Sequence, residues 1–179
     1  MAVTEPTAKN LADLYDLPLV EWADVRTILE AQLTQAPGTG GPDHHTFFLS
    51  TVDADGRPHV AGVGAMWVSG RYYFTGSPQS RKIRNIERDP RCALGVAMTG
   101  YDVSLEGRAA RVTDEADLER LAGVFSEGGW TPTVADGGFT AEFSAPSAGP
   151  PPWYLYEFTP EQVYAVMGKE PGGATRWTF

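Results

Sequence analysis

Residues 46–98 read TFFLSTVDADGRPHVAGVGAMWVSGRYYFTGSPQSRKIRNIERDPRCALGVAM, and this run decides the fold. Asp55-Gly56 and Ser69-Gly70 are turn signals that cut its first part into three extended segments, one from residue 46, one over 57–68 and one over 71–75. Ser77-Pro78 supplies a capping side chain and then proline at a first helical position, so a short helix is expected to open there. Asp89-Pro90 ends that helix, and a fourth strand runs over 91–98. The pattern is a small antiparallel sheet interrupted by one basic helix.

That helix carries its charges against its own dipole. Arg81, Lys82 and Arg84 fall near its start, whereas Glu87 and Asp89 lie near its end. A helix favours the opposite order, because its amino end is positive. A bound anion resolves the conflict, since helix-end amides with adjacent Arg and Lys make a phosphate site. A merely solvated basic face is the competing reading. The nearby glycines and the strand-turn-helix setting favour the anion.

The bulk properties narrow the partners. The 179 residues fit one domain with a real core and no internal repeat, at 42% apolar content. Net charge is -9, which argues against nucleic-acid binding. Residues 71–91 nevertheless hold six Arg/Lys against two acids, a local +4 that leaves -13 for the remainder. A basic island in an acidic protein suits a small anionic ligand. The single cysteine, Cys92, excludes an internal disulfide framework and fits a reducing compartment; in an apolar strand it reads as a buried structural thiol. No signal-peptide core or membrane-spanning run is present, so a cytoplasmic protein with no membrane partner is expected.

Outside the central run, residues 1–18 read as a polar arm and residues 19–179 as a single domain. Leu19, Trp22, Val25, Ile28 or Leu29, and Leu33 recur at helical spacing over 19–35. A Gly/Pro loop follows over 37–43, and His44-His45 make a poor chelating pair because neighbours on an extended chain point to opposite faces. Gly62 and Gly64 fall on one face of the 57–68 strand, where a flat ring could lie against the backbone; tight barrel packing leaves the same mark. A strand over 102–112 and a helix over 114–125 come next. Residues 126–152 then form a long Gly/Ala/Pro-rich stretch carrying Trp130, Phe139 and Phe143, equally readable as a lid or as surface packing. Two strands, 153–158 and 163–167, are separated by Thr159-Pro160, and the aromatic tail over 169–179 is expected to dock.

The search for catalytic side chains finds no metal-ligand spacing, nucleophile elbow, P-loop or Rossmann fingerprint, so no residue is assigned as catalytic or metal-binding. Hard chemistry would have to come from a cofactor, and an anionic, flat-ringed one would unite the glycine-bearing strand with the basic helix.

At this point the run 47–94 resembles the flavin-binding split barrels related to pyridoxamine 5'-phosphate oxidase. Within them it is most similar to the actinobacterial branch that uses the deazaflavin coenzyme F420. The SRKxRN pattern at Ser80, Arg81, Lys82, Arg84 and Asn85 is its most specific element, and Lys169 with the closing Thr-Arg-Trp returns to it. The resemblance implies a mainly β, six-stranded antiparallel split barrel with flanking helices, a homodimer, and a cofactor groove at the dimer interface. It implies that Ser80, Arg81, Lys82 and Asn85 hold the cofactor phosphate. His59, Val60, Ala61 and Gly62, with Thr75 and Gly76, would line the ring, while Lys169, Arg176 and Trp177 would approach from the tail across the dimer. Gly172-Gly173 stand where relatives often carry a bulkier residue.

FMN is the rival cofactor. True pyridoxamine phosphate oxidases carry an Arg-x-Val-Leu-Leu-Lys type strand motif, which RPHVAGVGAMWV lacks. The expected activity is F420H2-dependent hydride transfer to an unsaturated organic small molecule, with Trp130, Phe139 and Phe143 as candidates to stack on a flat substrate. The alternatives are an FMN-binding oxidoreductase and a non-catalytic flavin- or deazaflavin-binding protein.

Overall fold

The computed structural model describes residues 5–31 and 46–179. The expected loop over 37–43, the pair His44-His45 and the distal part of the 19–35 helix lie outside the described residues. In chain order the elements are β1 (Thr7–Asn10), α1 (Trp22–Glu30), β2 (Phe47–Val52), β3 (Pro58–Val63), β4 (Ala65–Val68), β5 (Arg71–Gly76), α2 (Arg81–Arg88), β6 (Arg91–Met98), β7 (Tyr101–Arg111), α3 (Glu115–Glu127), β8 (Thr133–Ala135), β9 (Gly138–Thr140), β10 (Tyr154–Met167) and β11 (Ala174–Thr178).

All pairing is antiparallel, in the order β1-β11-β10-β7-β6-β2-β3, with β5 joining β10 and β4 joining β5. The segment expected as one strand over 57–68 breaks at Gly64: β3 pairs with β2 and β4 with β5. Counted as one bent strand it joins β2 to β5, which pairs with β10, giving six barrel strands. The turn at Ser69-Gly70 has φ of 51° and 88°, the left-handed pair that a tight hairpin of this hand requires. The fold class read from sequence stands.

Two segments differ from expectation. Residues 154–167 form one continuous β10, because Pro160 falls at a register shift where the edge shared with β5 ends and that shared with β11 begins. A missing N–H is tolerated at such a place. Gly107 on β7 lies opposite, where a Cβ would come within 2.1 Å of the Thr159 carbonyl oxygen. In the amino-terminal arm, residues 7–10 add a strand to β11.

Phe47, Leu49, Phe74, Leu94, Leu105 and Phe158 fill the barrel, covered by Trp22, Val25 and Leu29 of α1 and by Ile83 and Ile86 of α2. Burying each of the two isoleucines contributes about 1.5–3 kcal/mol, enough to hold an eight-residue helix in place. A second core joins Leu118, Leu121 and Phe125 of α3 to Trp130, Phe139 and Trp153. The 126–152 stretch is therefore anchored, with the Trp130 indole donating to the Phe143 carbonyl at 2.8 Å and that of Trp153 to the Gly149 carbonyl at 3.1 Å. Among the described residues no helix is long and apolar enough to cross a membrane.

Candidate functional site

Helix α2 opens at Arg81, four residues after Ser77. Residues 77–80 instead make a turn, with the Ser80 amide donating to the Ser77 carbonyl at 3.0 Å, and Pro78 fits its second position. Ser80 is the N-cap residue, but its hydroxyl donates to the Ser77 carbonyl at 2.8 Å and accepts nothing from the helix. The first-turn amides are thus uncapped, and no acidic side chain stands in that turn. The later start concentrates the basic charge: Arg81 and Lys82 are the first two helical residues.

Lys82 is half-buried, and burial pulls its pKa below the usual lysine value. It has no hydrogen-bond or ion-pair partner among the described residues. Its stem runs past Gly76, where a Cβ would meet Lys82 Cε at 3.4 Å and Ile83 Cγ1 at 2.6 Å. The missing side chain at the end of β5 is what lets the first turn of α2 come this close. A desolvated ammonium beside uncapped amides is a place where an anion gains most.

Arg81 and Asn85 are already engaged. Arg81 forks onto the Asp53 carboxylate, donating from Nε at 2.9 Å and from a terminal nitrogen. These bonds hold the Asp53 carboxyl well below the usual carboxylate range and raise the Arg81 pKa. Asn85, buried, donates both Nδ2 hydrogens, to Thr51 Oγ1 at 3.0 Å and to Asp53 Oδ1 at 2.9 Å. What remains free on it is a carbonyl oxygen, which an anion does not seek. The family resemblance implied both residues on the cofactor phosphate; in the structure their side chains tie α2 to the end of β2. Asp53 and Thr51 were missed, and the signal was present in Asp53 at the strand end, directly before the Ala54-Asp55-Gly56 turn.

The remaining predicted residues fall into two groups. Strand β3 is the terminal strand of its array, so its outer edge offers unpaired backbone groups beside α2. His59 and Ala61 are half-buried on it, and Val60 and Gly62 are exposed. Thr75 is half-buried and Gly76 buried at the end of β5. Lys169, Arg176 and Trp177 are not brought to this place. A cross-strand row runs Gly62, Phe48, Gly95, Ser104, Tyr164, Arg176, so Arg176 shares the face of Gly62 but stands five strand steps away, roughly 24 Å measured along the curved sheet. Trp177 points to the opposite face, 1% exposed, its ring centroid 5.4 Å from that of Trp22. Lys169 is exposed, its Nζ 5.2 Å from the Tyr101 ring centroid.

Of the candidate stacking aromatics, Trp130 and Phe139 are core residues, and only Phe143 is exposed. Cys92 is half-buried, and burial pushes its thiol up to about 12, far from nucleophilic.

Comparison with known proteins bears on the family and the fold. The family model described as pyridoxamine 5'-phosphate oxidase matches residues 39–167. A pyridoxamine 5'-phosphate oxidase-related, FMN binding protein from Nostoc punctiforme superposes with a TM-score of 0.55 at 17% identity, covering 87% of this chain and 89% of its own. General Stress Protein 26 from Bacillus anthracis gives 0.52 at 22% identity, with 80% and 91% covered. An F420 reductase gives 0.47 at 20% identity, with 73% and 92% covered. No curated protein matches the chain. On the family match, which spans most of the barrel, the chain belongs to the pyridoxamine 5'-phosphate oxidase family of flavin-binding oxidoreductases.

Proposed function

We propose that this protein is an F420H2-dependent oxidoreductase, acting as a homodimer on an unsaturated organic small molecule. The observation that carries the reading is Lys82, a half-buried ammonium without a carboxylate partner among the described residues, at an uncapped helix start. The residues fit an anionic, flat-ringed cofactor. Lys82 and the first-turn amides would hold its phosphate, and Asp53, Thr51 and Asn85 keep that turn in place. The free edge of β3 offers backbone groups to the rim of the ring, and Gly62 leaves its outer face smooth.

When bound, the deazaflavin supplies a hydride from the carbon that replaces the flavin N5. The chain's own part is to hold, orient and exclude water, and none of these residues is required as a nucleophile. FMN would use the same grip. The deazaflavin is favoured by the SRKxRN run, by the closing Thr-Arg-Trp, and by the absence of a cationic pair on β3.

The dimer reading rests on the outer sheet face. Phe48, Val60 and Val166 are 53%, 56% and 52% exposed there, around the small residues Gly62, Ala93 and Gly95. A two-fold contact over this face would cover the apolar surface and carry Arg176 of one copy towards β3 of the other. Arg176 Nε, buried without a partner among the described residues, would then meet a ligand or the second copy.

The test is a fluorescence titration of the protein with the deazaflavin and, separately, with FMN. Saturation at micromolar or lower deazaflavin is expected, and Lys82→Ala should weaken it about tenfold to a hundredfold, the worth of one charge-assisted bond. Preference for FMN moves the protein to the FMN-binding oxidoreductases. Binding without turnover of any reducible substrate leaves a cofactor-binding protein. Binding of neither cofactor overturns the anion site.

A further inference from the structure

Seven of the eleven arginines form ion pairs: Arg26, Arg57, Arg71, Arg81, Arg91, Arg108 and Arg120. Of the four that pair with no acid among the described residues, Arg84, Arg88 and Arg111 line one cleft of about 450 Å³ between α2 and the amino-terminal half of β10. Glu87 is the single carboxylate there, and it accepts the Tyr156 hydroxyl at 2.6 Å. Three arginines therefore line this cleft with one acid, in a chain of net charge -9, and Arg84 and Arg88 also border the neighbouring hollow of Asp53, Asp55 and Arg81.

Their remaining bonds do not neutralise them. The Arg84 side chain bonds to nothing among the described residues. Arg88 reaches the Val52 backbone carbonyl. Arg111 lies 3.3 Å from the Tyr154 ring centroid and donates to the Gly137 carbonyl at 3.1 Å, while its Nε is buried without an acceptor among the described residues. Stacking on Tyr154 fixes the plane of that fork, which makes it a ready partner for a planar carboxylate or a phosphate.

We propose that this cleft is a second ligand site, taking a small free polyanion with at least two phosphate or carboxylate groups. Its volume suits a small molecule. It is distinct from the place where α2 begins, because Lys82 and Arg84, two residues apart, project from roughly opposite sides of the helix at about 100° per residue. The inference does not depend on which cofactor, if any, binds beside Lys82.

The test is isothermal titration at fixed ionic strength with pyrophosphate and with citrate, on the unmodified protein, Arg84→Glu and Lys82→Ala. Arg84 is exposed and unpartnered, so its variant should melt normally. Saturable binding of at least one probe is expected, weakened about tenfold or more in Arg84→Glu and changed less than about twofold in Lys82→Ala. Tighter pyrophosphate points to a phosphate ester as the natural ligand, and tighter citrate to a polycarboxylate. Three results overturn the proposal: no saturable binding of either probe, equal binding in Arg84→Glu, or loss in Lys82→Ala, which would place the anion at the helix start. Deazaflavin titration of Arg84→Glu separates the two sites, since unchanged affinity leaves the cofactor reading standing whatever the probes do. Weakened deazaflavin binding with neither probe bound would make the cleft part of the cofactor site, and the second site would fall.

Discussion

Replacing Asn85 by alanine tests whether that residue serves the scaffold or the ligand. In the structure both of its amide hydrogens go to the protein, and its principal partner, Thr51, is itself 3% exposed. Losing the hydrogen bonds of a buried amide costs about 1–3 kcal/mol, and the cost lies towards the upper end when the abandoned partner is also buried. With Thr51 left unpaired, a loss of about 2–3 kcal/mol is expected. For a chain of this length that corresponds to a fall in Tm of about 4–12 °C. The assay is urea and thermal unfolding followed by tryptophan fluorescence, beside a cofactor titration of the same variant. Thr51→Val combined with Asn85→Ala should show a coupling of about 0.5–1.5 kcal/mol, because the second change removes a partner already lost. A stability within about 0.5 kcal/mol of the parent, the range of an ordinary surface change, together with a tenfold loss of cofactor affinity, would refute the scaffold role.

Two other expectations are simpler to check. Gly107→Ala should cost about 3 kcal/mol or more in urea unfolding, since its Cβ would stand 2.1 Å from a backbone oxygen of β10; Gly123→Ala, where nothing lies within 4 Å on α3, should instead gain about 0.5–1 kcal/mol. In acid, the carboxyls of Asp53 and Asp89 are both depressed, chiefly by the Arg81 and Arg91 side chains, and that of Asp89 falls to about 2. The unfolded chain then binds more protons than the folded one, so their stabilisation is complete above about 4, and that of Asp89 is lost as pH falls through about 2, with Asp53 following at lower pH. A plot of Tm against pH from 2 to 5 should rise, with a shallower slope in Asp89→Asn; an unchanged slope in the variant would contradict the assignment.

Much of this was legible because local signals agreed with the fold. The strand over 91–98 and the helix capped at Asp114, whose carboxylate accepts the Asp117 amide at 3.0 Å, emerged with their expected bounds nearly intact. Ser77-Pro78 misled because proline fits both a first helical position and a turn, and only the packing of Ile83 and Ile86 decides where α2 can begin. Residues 7–10, TAKN, carry no apolar alternation; they become a strand because the edge of β11 is available to pair with them. Of the site, the basic helix was legible as a local charge pattern. The clamp of Asp53 on Arg81 links residues 28 apart, and the arginine cleft joins α2 to Arg111 and Tyr154, distant contacts that no spacing rule reveals. Trp177 was read as a ligand contact from likeness alone, whereas its burial against Trp22 follows from the hairpin that closes the chain.

The long strand β10 belongs to every part of the molecule at once. Its first residues seal the aromatic core under α3, its middle crosses the barrel, and its last turn back through β11 to hold β1. No piece can therefore peel away without dragging a shared strand out of register. The protein has given up the modularity that would let a cofactor-binding half melt while the remainder persists, and it should open as one cooperative unit or not at all.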